Sequence, residues 1–258
     1  MNHSLNMVAL YTIVRREIAR IMRIWTQTLI PPVITMTLYF VIFGKLIGSR
    51  IGTIEGGYTF IQYLAPGLVM MSIITNSYGN ISSSFFGAKF SRAVEEMLVS
   101  PMPNWVILSG YVIGAVVRGL AVGTLVLAVA LFFTSLHLKH PLIALLAILL
   151  GSVIFSLAGF INAVYAKKFD DIALVPTFII APLTYLGGVF YSIKMLGEPW
   201  QAISRINPIL YMVNAFRYGV LGISDVGVGT AFAVMGLFVA VLATFALQLL
   251  KRGVGLRS

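Results

Sequence analysis

VILSGYVIGAVVRGLAVGTLVLAVALFF, residues Val106–Phe133, runs for 28 residues with a single charge, Arg118. A hydrocarbon core about 30 Å thick is crossed by about 20 apolar residues of helix. The stretch is therefore long enough to span lipid and too apolar all round to keep one face in water. Working outward from it, five more runs have the same character: Trp25–Leu46, Phe60–Ile81, Leu142–Val164, Ile172–Tyr191 and Val228–Leu250. Six spans predict an all-α membrane protein with both termini on one side. Composition agrees, since 59% of the 258 residues are hydrophobic and only 10% are charged. A soluble domain carries about a quarter, and eight acids with eighteen bases cannot coat a water-soluble core of this size. One transmembrane domain, 1–258, is expected, with no soluble module, repeat or low-complexity tract beside it.

The formal charge of +10 raises the question of nucleic acid. The bases form no continuous patch; they stand in small groups between the spans, as topology-setting loops do. Arg15, Arg16, Arg20, Arg23, Lys89, Arg92, Lys167, Lys168, Lys251, Arg252 and Arg257 fall on one side, while Lys45, Arg50, Lys139, Lys194, Arg205 and Arg217 fall on the other. Eleven against six places both termini in the cytoplasm by the positive-inside rule. Cysteine is absent, so neither a disulfide nor a thiolate metal site is available. The first 25 residues put their Arg residues after an apolar stretch and lack a small-residue cleavage site, unlike a cleaved signal peptide.

Within residues 5–24, Leu10, Val14, Ile18, Ile21 and Trp25 recur at helical spacing, with Arg16, Arg20 and Arg23 on another face. This predicts an amphipathic helix in the cytoplasmic interface, either a simple snorkelling anchor or a surface with a further role. Pro31, Pro32, Pro66, Pro176 and Pro182 are expected to kink their spans. Gly110/Gly114 and Gly119/Gly123 give the third span two small-xxx-small pairs, which predict close packing against a neighbouring helix. Residues 191–227 are too polar for a span yet hold short apolar segments, and predict outer re-entrant or interfacial helices that form a cap.

Chemistry-bearing residues are few. His137 and His140 share an outer loop and make a weak metal pair. No GxxxxGK[ST] cradle exists: the only Gly-Lys pair, Gly44-Lys45, precedes Leu46 at an outer boundary, so this chain does not hold ATP in that way. Glu17, Glu55, Glu95, Glu96, Asp170, Asp171, Glu198 and Asp225 all lie outside the predicted spans, which disfavours a proton antiporter. Arg118 alone is charged within a span; it lines a polar path or binds an anion, or it snorkels toward the headgroups.

The inner loop SSSFFGAKFSRAVEEMLVSPMP, residues Ser82–Pro103, is helical in character from Phe85 to Leu98 and interleaves Phe85, Phe86, Phe90, Met97 and Leu98 with Lys89, Arg92, Glu95 and Glu96. The charges stand three or four apart and can support one another on a helix. The segment is either a solvated amphipathic loop or a docking helix that offers apolar knobs to a cytoplasmic partner.

These features, together with EEMLVSPMP (Glu95–Pro103), DDIALVPTFIIAPLTYLGGVFYS (Asp170–Ser192) and INPILYMVNAFRYGVLG (Ile206–Gly222), resemble the ABC-2 type permeases along essentially the whole chain. The family's recognisable outer signature is matched by Asn207-Pro208 with Arg217; the residue types alone describe a turn in which Asn caps and Pro starts a helix. The resemblance implies a homodimer joined to two copies of a separate ATPase, in a bacterial inner membrane, exporting substrate. ATP and Mg would be held by that partner, with no cofactor on this chain and no catalysis by it. It further implies that the Glu95–Pro101 region is a coupling helix, that Arg16, Arg20 and Arg23 belong to an interface helix, and that Tyr185, Gly187, Gly188 and Phe190 close the pathway outward. Two other classes compete with it: a passive channel, against which the lack of a polar stripe counts, and a membrane-embedded enzyme, for which only the pair Asp170/Asp171 is available. Nothing in the spans chooses between drug, lipid and polysaccharide.

Overall fold

The structure, a computed structural model, describes residues 3–54 and 57–255; Glu55 and Arg257 of the charge pattern lie outside them. Helix α1 (His3–Arg23) is followed after one residue by α2 (Trp25–Tyr39), which continues as a π-helical segment Phe40–Ile47 and the single turn α3 (Gly48–Ile51). A two-residue antiparallel pair, β1 (Thr53–Ile54) and β2 (Tyr58–Thr59), then leads into α4 (Phe60–Phe90). The rest is helical: α5 (Ala93–Val99), α6 (Asn104–Phe133), α7 (Pro141–Tyr165), α8 (Phe169–Val175), a π-helical turn Pro176–Ile180, α9 (Ala181–Leu186), α10 (Glu198–Ile206), α11 (Pro208–Leu221) and α12 (Val228–Arg252).

Among the described residues, five helices are long and apolar enough to cross a bilayer: Trp25–Gly44, Asn104–Phe133, Pro141–Tyr165, Phe169–Leu186 and Val228–Arg252. The protein is accordingly an all-α membrane protein. The remaining predicted span, Phe60–Ile81, lies within the 31-residue α4, whose start is fixed by a capping box between Thr59 and Gln62. α4 is more polar because it meets protein instead of lipid. Ser72, Ser77, Asn80 and Ser82 are buried there, and Ser77 Oγ bonds Ser152 Oγ of α7 at 2.6 Å. α6, α7 and α11 pack around it. The glycine pairs of α6 serve two neighbours. A Cβ on Gly110 or Gly114 would lie 2.6 Å from Ile13 or 2.5 Å from Glu17 of α1, whereas one on Gly119 or Gly123 would collide with Ser77 or Ile73 of α4.

Contacts sort the helix ends into two groups. At one end Lys89 Nζ donates to the carbonyls of Val164 and Ala166 at 2.6 and 2.8 Å, Gly255 lies against Val164, and Arg16 reaches Tyr111. At the other, Gln62 reaches Ser135 O, Lys139 N donates to Val220 O, and Asp225 accepts from Ile193 N.

Three expectations are corrected. The fifth span was expected to run Ile172–Tyr191; the helix instead starts at Phe169 and stops at Leu186, because Gly188 turns back at φ +70°. Phe85–Leu98 is not one helix: α4 continues to Phe90, and Arg92 takes the left-handed region at φ 61° before α5 begins. On α1 the face packed on protein is Ile13, Glu17 and Ile21, while Ile18 and Trp25 of the expected apolar stripe remain exposed.

Candidate functional site

The segment read as a docking helix divides into a buried root and an exposed tip. Phe85 and Phe86 are buried, Phe85 against Tyr111 and Phe160 and Phe86 against Phe169, so they are core and not docking knobs. Lys89 is spent on the C-terminal carbonyls of α7, where a cation is favoured. Met97 and Leu98 pack onto the inner core cluster. The exposed surface is Phe90, Arg92, Glu96 and Val99, the last 88% accessible. A cleft of about 590 Å³ opens beside it, between Phe90, Arg92, Glu95, Tyr165 and Lys167. Arg92 in a left-handed conformation costs about 1–2 kcal/mol, and it sets α5 off from the axis of α4.

Beside this end the arginines of α1 gather on a carboxylate that sequence reasoning passed over. Glu17 is the one buried acid among the described residues. Its Oε2 accepts from Ser84 Oγ at 2.6 Å and from Arg20 Nη2 at 3.3 Å, and Arg16 stands 3.6 Å from Oε1. Arg20 also donates to Asn80 Oδ1 at 2.7 Å, and Arg16 to the Tyr111 hydroxyl at 2.5 Å. Buried charge is tolerable only when paired and hydrogen-bonded in this way. The network ties α1 to α4 and α6. Arg23 is not part of it; it is exposed on the rim of a groove that Arg16, Glu17, Arg20 and Ser84 also line. The one sequence sign of the network was the Gly110/Gly114 pair, which announces close approach without naming the partner.

Arg118 faces a groove between α2, α4 and α6 whose lining includes Thr28, Thr35, Ser72 and Asn76. The residues expected to close the pathway outward lie elsewhere, at the far end of α2. Tyr185 and Phe190 stack with centroids 5.9 Å apart, and Phe190 meets Tyr39 and Phe43 at 5.8 and 5.4 Å. Tyr39 and Phe43 were not expected here; they belong to the end of α2 and its π-helical extension, where the sequence shows only one more apolar run. Between Thr28 and Tyr39 the helix rises about 16 Å. Gly187 has no room for a Cβ beside Ile209, and Gly188 supplies the positive φ, so both glycines shape the turn that carries Phe190.

The outer signature holds that turn in place. Asn207 Oδ1 accepts from Ile209 N at 3.0 Å, which caps α11, and its Nδ2 donates to Leu183 O at the end of α9. Pro208 occupies the first helical position. Arg217 is buried, donates to Gly188 O at 2.7 Å and to Tyr63 O at 3.4 Å, and its guanidinium lies 3.9 Å from the centre of the Tyr63 ring. It ties the aromatic turn to the first turns of α4.

A family model described as ABC-2 type transporter matches residues 8–221. Over 251 residues, 97% of this chain and 98% of theirs, the sequence is 56% identical to the inner membrane transport permease YadH of Escherichia coli K12 and to that of Shigella flexneri. It is 24% identical over 216 residues, 83% of this chain and 82% of the other, to nodulation protein J of Rhizobium meliloti. With the match spanning α1 to α11, the chain belongs to the ABC-2 type transporter family.

Proposed function

We propose that this chain is the membrane permease subunit of an ATP-driven exporter in a bacterial inner membrane, supplying the pathway while a separate ATPase supplies the energy. In this reading residues 1–258 form one transmembrane domain of six spans, α4 being the protein-wrapped second. Both termini are cytoplasmic, and α10 and α11 form the outer re-entrant cap. Two copies pair, each bound to an ATPase subunit that carries ATP and Mg. The exposed apolar faces of α2 and α8, at Ile34, Leu38 and Leu174, suit contact with the second copy or with lipid.

The observation that carries the reading is the exposed tip Phe90–Val99 standing at the base-rich end of the bundle and rooted through Phe85 and Phe86 in the core. That tip has the form of a lever: a charged and apolar surface outside, joined rigidly to α4 inside. Phe90, Arg92, Glu96 and Val99 would meet the ATPase, with Glu95, Met97 and Leu98 fixing α5. Arg16 and Arg20 would brace α1 against the same movement. Substrate would pass along the α2–α4–α6 groove at Arg118 and leave past Tyr185, Gly187, Gly188 and Phe190. Copurification of the tagged chain from gently solubilised membranes tests this. An ATP-hydrolysing subunit should accompany wild type and be depleted at least fivefold in a Phe90→Ala/Glu96→Ala variant of unchanged melting temperature. Recovery of the chain with no ATPase, even after cross-linking, would sink the reading.

A further inference from the structure

Arg118 is a cation with no counter-ion among the described residues. Its guanidinium makes no hydrogen bond or ion pair to the described residues, and its Nε is shut away from solvent without a partner. Glu17, the buried carboxylate packed one helical turn away at Gly114, is already shared by Arg16 and Arg20 and held by Ser84. Arg20 stands close enough for its charge to oppose that of Arg118. One negative charge thus faces three positive ones. Arg118 is the member of this cluster that lies within a span, where an uncompensated charge is costly unless an anion completes it.

The surroundings narrow the anion. Arg118 opens on a groove of about 330 Å³ whose other walls include Pro31, Pro32, Met71 and Thr75. The Thr75 hydroxyl already donates to Met71 O at 2.8 Å, the Asn76 amide to Ser72 O at 3.0 Å, and Thr28 and Ser72 to Ile24 O and Leu68 O, so besides Arg118 only Gln27 and Thr35 of the lining offer a ligand side-chain donor groups not already engaged. A polysaccharide, with hydroxyls along its whole length, would find little to bond there. One strong donor fork beside apolar and proline surface suits a molecule with one charged head and an apolar body.

We propose that the α2–α4–α6 groove binds an amphipathic anion, its phosphate or carboxylate head on Arg118 and its apolar body along α2. The inference deepens the pathway reading of this groove, and binding is read without ATP, so that failure of the anion site and failure of ATPase coupling are separate results.

The test is a melting titration of the purified full chain in dodecyl maltoside with dodecyl phosphate, and with inorganic phosphate in parallel. Dodecyl phosphate should raise the melting temperature saturably, with a half-effect concentration at least tenfold higher for Arg118→Gln and largely recovered in Arg118→Lys. Inorganic phosphate should be at least tenfold weaker; equal potency would overturn the amphipathic class. Without ligand, Arg118→Gln should melt at or above wild type, because it removes an uncompensated charge; a collapse of its folding would contradict the missing counter-ion. A titration of Arg118→Gln that matches wild type would overturn the site. Repeating the titration in phosphatidylcholine nanodiscs with and without phosphatidylglycerol identifies the source. Competition by phosphatidylglycerol assigns the head to bilayer lipid, and its absence assigns it to a separate amphipathic substrate.

Discussion

The centre of the bundle and its flank are built by different rules. In α7 half of the spanning window is buried inside the protein, whereas in the α8–α9 passage only 11% is, and in α2 17%. The centre is knitted by small residues: Gly119 and Gly123 of α6 against α4, and Ser77 against Ser152. The flank contains Pro31, Pro32, Pro176 and Pro182, both π-helical segments, and the aromatic cluster of Tyr39, Phe43, Tyr185 and Phe190. Close-packed interiors are bistable or rigid and do not deform continuously, while few buried contacts mark the elements that open at low cost. The centre is therefore the close-packed frame and the flank a wall with few buried contacts. α5 is attached to the frame, and Arg217 is the tie between frame and wall.

The largest effect is expected from overpacking the frame. Gly119→Val, placed where even a Cβ meets Ser77, should destabilise by about 3 kcal/mol. Phe178→Ala on the flank, at a side chain 71% exposed, should shift stability by less than about 0.5 kcal/mol. Melting of both variants in one detergent checks the pair, and equal losses would break the distinction. Next in size is Arg217→Lys, which keeps the charge but loses the fork on Gly188 and Tyr63 and should cost about 1.5–3 kcal/mol. Cysteine accessibility at position 190 should rise in that variant if Arg217 is the tie. Phe190→Ala should cost about 1 kcal/mol from the lost ring contacts, with a rise in passive leak of small solutes from proteoliposomes that Phe178→Ala does not produce. The smallest effect, with the opposite sign, is Arg92→Gly. Relief of the left-handed strain should stabilise by about 1 kcal/mol in melting while weakening any response of the chain to ATP hydrolysis.

Most of the helical plan was legible in hydropathy, because five helices among the described residues are long and apolar enough to cross a bilayer. α4 was found at the right place for a less secure reason, since its Ser and Asn residues are answered by α6 and α7, and composition alone cannot reveal a protein neighbour. The fifth span was overrun by five residues because Gly187, Gly188 and Val189 are as apolar as the helix before them; only the positive φ at Gly188 separates turn from span. At the α4–α5 junction, periodicity suggested a continuous helix through Arg92, yet no sequence signal marks a non-glycine residue in the left-handed region. That single break leaves Val99 exposed on α5, while Phe85 and Phe86, still on α4, are buried against Tyr111, Phe160 and Phe169. On α1, amphipathicity distinguished two faces, but the docked face contains Glu17, whose partner Ser84 is 67 residues away, and Arg20 bonds Asn80, 60 residues away. Asn207 was read correctly as a cap because capping is local; Arg217's carbonyl partners are not.

The central claim is that an ATPase drives this chain through the α5 tip. The chain contains no cysteine, so Val99→Cys labelled with a benzophenone maleimide places one photo-cross-linker at the most exposed apolar point of that tip, and Trp200→Cys places one at the opposite end. Illumination in native membranes should join position 99 to an ATP-hydrolysing subunit and leave position 200 free of it. A label at position 99 that captures only lipid or the chain itself, while cells still export, would contradict the account.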